Sequence, residues 1–368
     1  MQQSTRVYLH GVEYALPEHR YSQSEALDVM NRLDPFEGAA ARKRRRIYEN
    51  SGIEYRHSVL GEFKSQGAVG ALFSDSGGKG VAPTTAMRNE IYTREARNLS
   101  LRAVRQLLDR HAGLITRVTH LITVSCTGFS APGFDFYLVK DLGLNANVDR
   151  FHLGFMGCFA AFPALKLAKS ICEANAEATV LVVNVELCSL HLQFKDDTDI
   201  VVANALFADG VSAAVVSARA IDGVDRRLRL DAFRSHTIPK SEDDMAWTIG
   251  DTGFDMRLSA YVPRFIEQDI ASILDGLLAE QHRVRDDVDV WAIHPGGRAI
   301  LDRVAGALAI PIEKLLHSYE VLRAYGNMSS VTIMFVLKRI LEGADVGRVF
   351  AAAFGPGLTV ESGLLTVE

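Results

Sequence analysis

Three residues far apart in the chain carry the parts of a thiol-based acyl-transfer site. Cys158 lies in Phe155-Met156-Gly157-Cys158-Phe159-Ala160-Ala161, His294 opens His294-Pro295-Gly296-Gly297, and Asn327 lies in Tyr325-Gly326-Asn327-Met328-Ser329-Ser330. A thiol supplies a nucleophile, an imidazole a base and donor, and a carboxamide a second donor. Each sits in a glycine-containing turn, where small neighbours let a substrate approach. Cys158 runs into a helix-forming stretch. A helix N-terminus and a nearby imidazolium both favour a thiolate near neutral pH. Taken singly, each residue has an ordinary structural reading. A cysteine is most often a small buried core residue, and an asparagine at a helix start is usually a cap. The combination raises the chemical reading above the separate structural ones.

Such residues need elements to hold them. Short apolar, β-branched runs predict strands over His120–Ser125, Thr179–Glu186, Val211–Ser217, Val288–Ile293, Arg348–Phe354 and Leu358–Thr366. Helical patterns cover Glu95–Ala112, Cys158–Ala174, Val262–Gln281, Arg298–Leu308 and Ser329–Glu342. This alternation reads as α/β, with strands apolar on both faces and therefore buried in sheets. The polar stretch Ala218–Arg229 is the best boundary. It separates a half holding Cys158, residues 1–217, from a half holding His294 and Asn327, residues 218–368. A site drawn from both halves implies that they pack face to face, with the pocket at their junction. Each candidate also follows a strand or opens a helix, where α/β sheets place ligands.

Composition removes several classes. The 368 residues are 48% hydrophobic and 23% charged, as in a globular protein. A net charge of −5 gives no global pull toward nucleic acid or an acidic membrane surface. No apolar run reaches the roughly 18–20 residues needed to span a bilayer. The N-terminal Met1-Gln2-Gln3-Ser4-Thr5-Arg6 shows no apolar signal core, so a cytoplasmic location is expected. Four cysteines, Cys126, Cys158, Cys172 and Cys188, are too few for a disulfide scaffold in so long a chain. None forms a Cys-x-x-Cys pair and no histidine cluster accompanies them, so no metal is expected.

Six ordered blocks carry a family resemblance. They are Gly157-Cys158-Phe159-Ala160, Val185-Glu186-Leu187-Cys188-Ser189-Leu190, Ala205-Leu206-Phe207-Ala208-Asp209-Gly210, His294-Pro295-Gly296-Gly297, Tyr325-Gly326-Asn327-Met328-Ser329-Ser330 and Phe354-Gly355-Pro356-Gly357-Leu358-Thr359. From about Ser100 to the C-terminus the chain resembles the type III polyketide synthases, the chalcone and stilbene synthase family, and within it the bacterial alkylpyrone and alkylresorcinol branch. The first hundred residues match poorly by eye. The resemblance implies a thiolase-type αβαβα five-layered sandwich of two similar halves, and a homodimer. It implies malonyl-CoA and an acyl-CoA or acyl carrier protein thioester as substrates, with no further cofactor. It assigns Cys158, His294 and Asn327 as the catalytic triad. The implied reaction is decarboxylative Claisen condensation onto an acyl chain held by Cys158. Cyclisation to a pyrone or to a resorcinol- or phloroglucinol-type ring follows.

The same resemblance marks a pocket. Phe207 matches an aromatic gate beside the cysteine, and Met256 falls where plant relatives carry a second gating phenylalanine. Cys188 and His191 fall where plant enzymes line the cavity with threonines. Phe162 replaces a glycine after the nucleophile. Ala131 replaces a methionine that in plant relatives crosses into the partner subunit's cavity. The basic run Arg42-Lys43-Arg44-Arg45-Arg46 reads first as a solvated helix face. Arg45, Arg46 and Arg56 are nonetheless candidates for CoA or carrier-protein binding, although the family's usual lysine there is Asn50.

Rival classes use similar parts. Papain-like cysteine hydrolases order Cys, His and Asn the same way, but their Cys-Gly-x-Cys-aromatic signature is absent. A thiolase needs a second, late catalytic cysteine, and no cysteine follows Cys188. A ketosynthase performing a single condensation on a carrier-bound chain shares the triad and stays open. A non-catalytic scaffold would require all three motifs to be relics.

Overall fold

The apolar runs become the sheets of the molecule. The computed structural model describes residues 5–63, 72–73, 82–111, 113–239, 244–259 and 261–368. In chain order the elements are β1 (Tyr8–Ala15), β2 (His19–Ser22), α1 (Gln23–Leu33), α2 (Gly38–Glu49), β3 (Tyr55–Ser58), α3 (Thr85–Arg110), β4 (His120–Ser125), α4 (Phe134–Leu142) and β5 (Asp149–Gly154). They continue through α5 (Ala161–Ala174), β6 (Thr179–Leu187), α6 (Thr198–Leu206), β7 (Asp209–Ser217), β8 (Leu228–Thr237), β9 (Met245–Gly250) and β10 (Gly253–Leu258). The last are α7 (Val262–Glu280), β11 (Val290–Ile293), α8 (Arg298–Leu308), α9 (Leu316–Tyr325), α10 (Ser330–Glu342), β12 (Gly347–Gly355) and β13 (Thr359–Val367).

The main sheet runs β11-β12-β13-β8-β1-β7-β6-β4-β5. At its middle β1 and β8 share only two pairs, Tyr8↔Arg229 and Leu9↔Leu228. This corner divides it into an N-terminal five-stranded sheet and a C-terminal four-stranded one. Parallel pairs occur in both, β4 with β5 and β6 in the first and β11 with β12 in the second. α5 and α10 lie between the two sheets. One apolar cluster joins their Leu165, Ala168, Ile333 and Leu337 to Val182 and Ala214 of the first sheet and Ala351 and Leu365 of the second. A second cluster packs α3 on the outer face of the first sheet, and a third packs α7 and α8 on the outer face of the second. The layers therefore read α, β, α, β, α. Every position of β6 and β7 is buried, because helices cover both faces.

Local chemistry explains where boundaries differ from the sequence pattern. α3 begins at Thr85 rather than Glu95, with the Thr84 hydroxyl accepting from Met87 N–H at 3.2 Å. Its expected end, Ala112, lies outside the described residues. α5 begins at Ala161, not Cys158, because Gly157 has φ +82° and the turn carrying Cys158 is not helical. β5 carries no apolar run and sits exposed at the sheet edge, so periodicity alone does not reveal it. The β9–β10 hairpin is likewise half-polar and stands apart from the main sheet.

Candidate active site

The turn after β5, the end of β11 and the turn before α10 meet at one cavity of about 330 Å3, lined by Cys158, His294 and Asn327 among others. The sheets fix each residue differently. Cys158 stands in the link from β5 to α5. A Cβ on Gly157 would lie 2.2 Å from Pro356 Cδ, so the link tolerates no side chain there. The Gly157 N–H donates to Cys126 Sγ at 2.9 Å. His294 follows β11 and is tied back by its own N–H to Ala352 O at 2.8 Å. Asn327 is clamped from both sides. Its N–H donates to Leu206 O at 2.9 Å, and its carbonyl accepts from Ala208 N–H at 2.8 Å. Those bonds bind it to the segment carrying Phe207.

The side chains are aimed by a second layer of contacts. The Asn327 carboxamide oxygen accepts from Ser329 N–H at 2.8 Å, and its Nδ2 donates to Gly296 O at 3.1 Å. The Ser329 and Asn327 side chains also act on the Cys158 thiol, pulling its pKa down against burial. His294 is 1% exposed, and neither ring nitrogen has a hydrogen-bond partner. A buried imidazole without partners is costly, and proteins keep such groups where a ligand completes them.

Burial dominates the electrostatics. Cys158 keeps some surface open to the cavity, yet burial pushes its thiol up to about 12. The Ser329 hydrogen bond pulls back, the Glu186 charge adds to the rise, and the Asn327 hydrogen bond again pulls back. Burial also lowers His294 to about 3. In the ligand-free cavity both shifts favour the neutral thiol and neutral imidazole. Burial thus acts against the thiolate that a helix N-terminus would favour. Glu186, raised to about 7 mainly by burial, accepts from Cys126 N–H, Thr127 Oγ1 and Ser330 Oγ at 3.0, 3.1 and 2.6 Å.

The other sequence candidates separate clearly. Phe207, Met256, Cys188 and His191 line the cavity with the triad. Phe162 does not. It is buried in α5 against Phe233, ring centroids 6.3 Å apart, in the layer between the sheets. Ala131 is exposed in the loop before α4 and does not line the cavity of its own chain. The basic run is not one surface. Arg44 is buried and bonds Asp34 Oδ2 at 2.7 Å, whereas Arg45 and Arg46 are exposed on α2. Lys43 reaches Thr198, which lines the cavity, so α2 borders the cavity wall. Arg56 is 2% exposed and cannot greet a phosphate. Its Nη1 donates to Asn204 O and Phe207 O, both at 2.8 Å, so it holds the end of α6 instead.

Sequence reading missed Trp247 and Phe254, which form much of one wall. Their rings stack at 4.9 Å, and His191 stacks on Phe254 at 3.8 Å. Only the hairpin β9–β10 brings them over the cavity. Trp247 is one of two tryptophans in the chain, and that rarity was the available signal.

Comparison with known proteins agrees with this geometry. The family model of the N-terminal domain of chalcone and stilbene synthases matches residues 3–220, and that of the C-terminal domain matches residues 229–367. The likeness therefore extends through the first hundred residues, where no motif was visible by eye. The alpha-pyrone synthesis polyketide synthase-like protein Pks18 of Mycobacterium tuberculosis is 30% identical, over 99% of this chain and 92% of the relative. The 1,3,6,8-tetrahydroxynaphthalene synthase of Streptomyces coelicolor is 32% identical, over 95% of this chain and 89% of the relative. The crystal structure of PKS-I from the brown alga Ectocarpus siliculosus superposes with a TM-score of 0.89 at 31% identity, covering 99% of both chains. The five-layered architecture is thus the thiolase-type sandwich shared with type III polyketide synthases, and the chain belongs to the chalcone and stilbene synthase family.

Proposed function

We propose that this enzyme condenses malonyl-CoA onto an acyl thioester carried by Cys158 and closes the product to a pyrone or a polyphenolic ring. The observation that carries this reading is the convergence of a thiol, an unpartnered imidazole and an oriented carboxamide on one cavity. As the starter thioester arrives, the Cys158 proton passes to His294 and the sulfur attacks the carbonyl. The oxyanion that develops is met by donors from His294 and Asn327. When malonyl-CoA loses CO2, the same two donors hold the enolate that attacks the acyl-Cys158 carbonyl. The apolar ring of Phe207 disfavours the malonyl carboxylate and tolerates neutral CO2. Leu206, Ile300, Val262, Met256 and Trp247 make much of the wall apolar, which suits an acyl starter without charge.

Two finer assignments accompany this reading. Arg45 and Arg46 remain the proposed contacts for CoA phosphates or an acidic carrier protein, supported by their exposure on a helix beside the cavity wall. The active form is a homodimer, supported by β5. That strand ends the sheet, carries exposed Phe151, and neighbours exposed Phe129 and Phe155. The test is product analysis by chromatography and mass spectrometry with malonyl-CoA and acyl-CoA starters of graded length. Pyrones or polyphenols from the wild type, lost in Cys158→Ala, are expected. Polyketides formed by Cys158→Ala would refute the nucleophile.

A further inference from the structure

The cavity holds a second histidine that condensation leaves idle. His191 ends the turn after β6, and its ring plane is fixed by stacking on Phe254, 3.8 Å away and 9° from parallel. Its Nε2 lies 2.8 Å from the Thr127 carbonyl. A carbonyl only accepts, so Nε2 carries the proton and Nδ1 presents a lone pair. That Nδ1 is buried and has no partner. Among the described residues, the partnerless buried side-chain atoms of the cavity wall are this nitrogen and the two nitrogens of His294.

Two buried carboxylates outside the cavity lining are engaged. Glu186 takes three donors, as described, and Asp209 accepts from Ser189 N–H, Ser189 Oγ and Val59 N–H at 2.7, 2.6 and 2.9 Å. Asp199 also lines the cavity, and His191 Nδ1 is the buried acceptor without a partner on the side that holds Thr127, Cys188, Trp247 and Phe254. Burial lowers its pKa to about 4, with the Thr127 bond opposing and Arg88 adding to the fall, so the lone pair stays free at neutral pH.

We infer that His191 Nδ1 accepts the proton of an enol hydroxyl on the finished polyketide as that oxygen closes the ring onto the Cys158 thioester. The inference rests on the proposed polyketide chemistry. The enol oxygen forms a bond to the thioester carbonyl carbon, and the carbon–sulfur bond breaks. The enol proton moves to Nδ1 and is returned to the departing sulfur, so Cys158 leaves as a thiol and no outside reagent is consumed. While Nδ1 holds the proton, the Nε2–H bond to Thr127 O steadies the imidazolium.

The experiment is single-turnover intact-protein mass spectrometry with malonyl-CoA and octanoyl-CoA, combined with product chromatography. His191→Phe keeps a ring to stack on Phe254 and removes the acceptor. His191→Asn sets an amide oxygen near the place of Nδ1. In His191→Phe, clearance of the full-length chain from Cys158 should slow on the order of 100-fold more than starter loading does, the usual worth of a general base. The thioester-bound polyketide should then accumulate, and His191→Asn, whose amide oxygen accepts a hydrogen bond but cannot take the proton, should not restore the clearance. Equal slowing of loading and clearance in His191→Phe, or clearance at the wild-type rate, would overturn the inference. A wild type that takes an acyl adduct isolates that failure to His191. A wild type that takes none sinks the polyketide reading and this inference together.

Discussion

At the scale of single residues, Cys158 is governed by its enclosure. Burial raises its thiol to about 12, and the hydrogen bonds from Ser329 and Asn327 only partly compensate. Raising an acid's pKa favours its protonated form, so the thiolate fraction should be small at pH 7 and grow as pH climbs. The expected outcome is an iodoacetamide alkylation rate for Cys158 that rises steadily to pH 10 and beyond. A plateau already reached below pH 7 would show that pairing with His294 overrides burial. Asn327 belongs to the same scale. Its carboxamide is fixed by Ser329 N–H and Gly296 O, so Asn327→Ala removes a preset donor while leaving Cys158 in place. Malonyl-CoA decarboxylation and condensation should both fall on the order of 100- to 1000-fold. Steady-state assay of CO2 release and of product checks this, and intact decarboxylation would separate Asn327 from the enolate.

Among the elements, the end of α6 is where structure and catalysis meet. Its last turn and Phe207 are held from one side by Arg56 and from the other by the backbone of Asn327. Gly326 makes room for this, since a Cβ there would lie 2.9 Å from Arg56 Cγ. Arg56→Met leaves the Asn204 and Phe207 carbonyls buried and unpaired. The cost should be about 1–3 kcal/mol of stability, read by chemical denaturation. Condensation should fall with it, because the gate ring and Asn327 share the loosened segment. Unchanged stability in Arg56→Met would show that water replaces the guanidinium at both carbonyls.

Across the whole molecule, five layers bring two halves of the chain onto one cavity, and one sheet edge is left open. β5 pairs with β4 alone and exposes Phe151 beside Phe129 and Phe155. An edge strand with exposed aromatic residues invites a second copy. Light scattering should report two chains for the wild type, and Phe151→Asp should shift the particle toward one chain. A wild type that scatters as a single chain would refute the dimer. Ala131 lies in an exposed loop before α4, away from the cavity lining of its own chain.

The sequence by itself carried the family resemblance and much of the frame. Cys158, His294 and Asn327, which meet at one cavity, were legible as candidates because each sits in a turn whose glycines and neighbours form a recognisable block. β4, β6, β7, β12 and β13 were legible because their buried faces demand mostly apolar or small residues. Tertiary structure alone decided what surrounds the nucleophile. It buried Phe162 in the core and Arg56 beneath α6, positions where residue type says nothing about which neighbour is met. It also swung Trp247 and Phe254 over the cavity on a hairpin whose strands lack a periodic signal. Enclosure depends on contacts between segments far apart in the chain. The turn that follows β5 could therefore suggest a thiolate, while the layers that close over it favour a thiol.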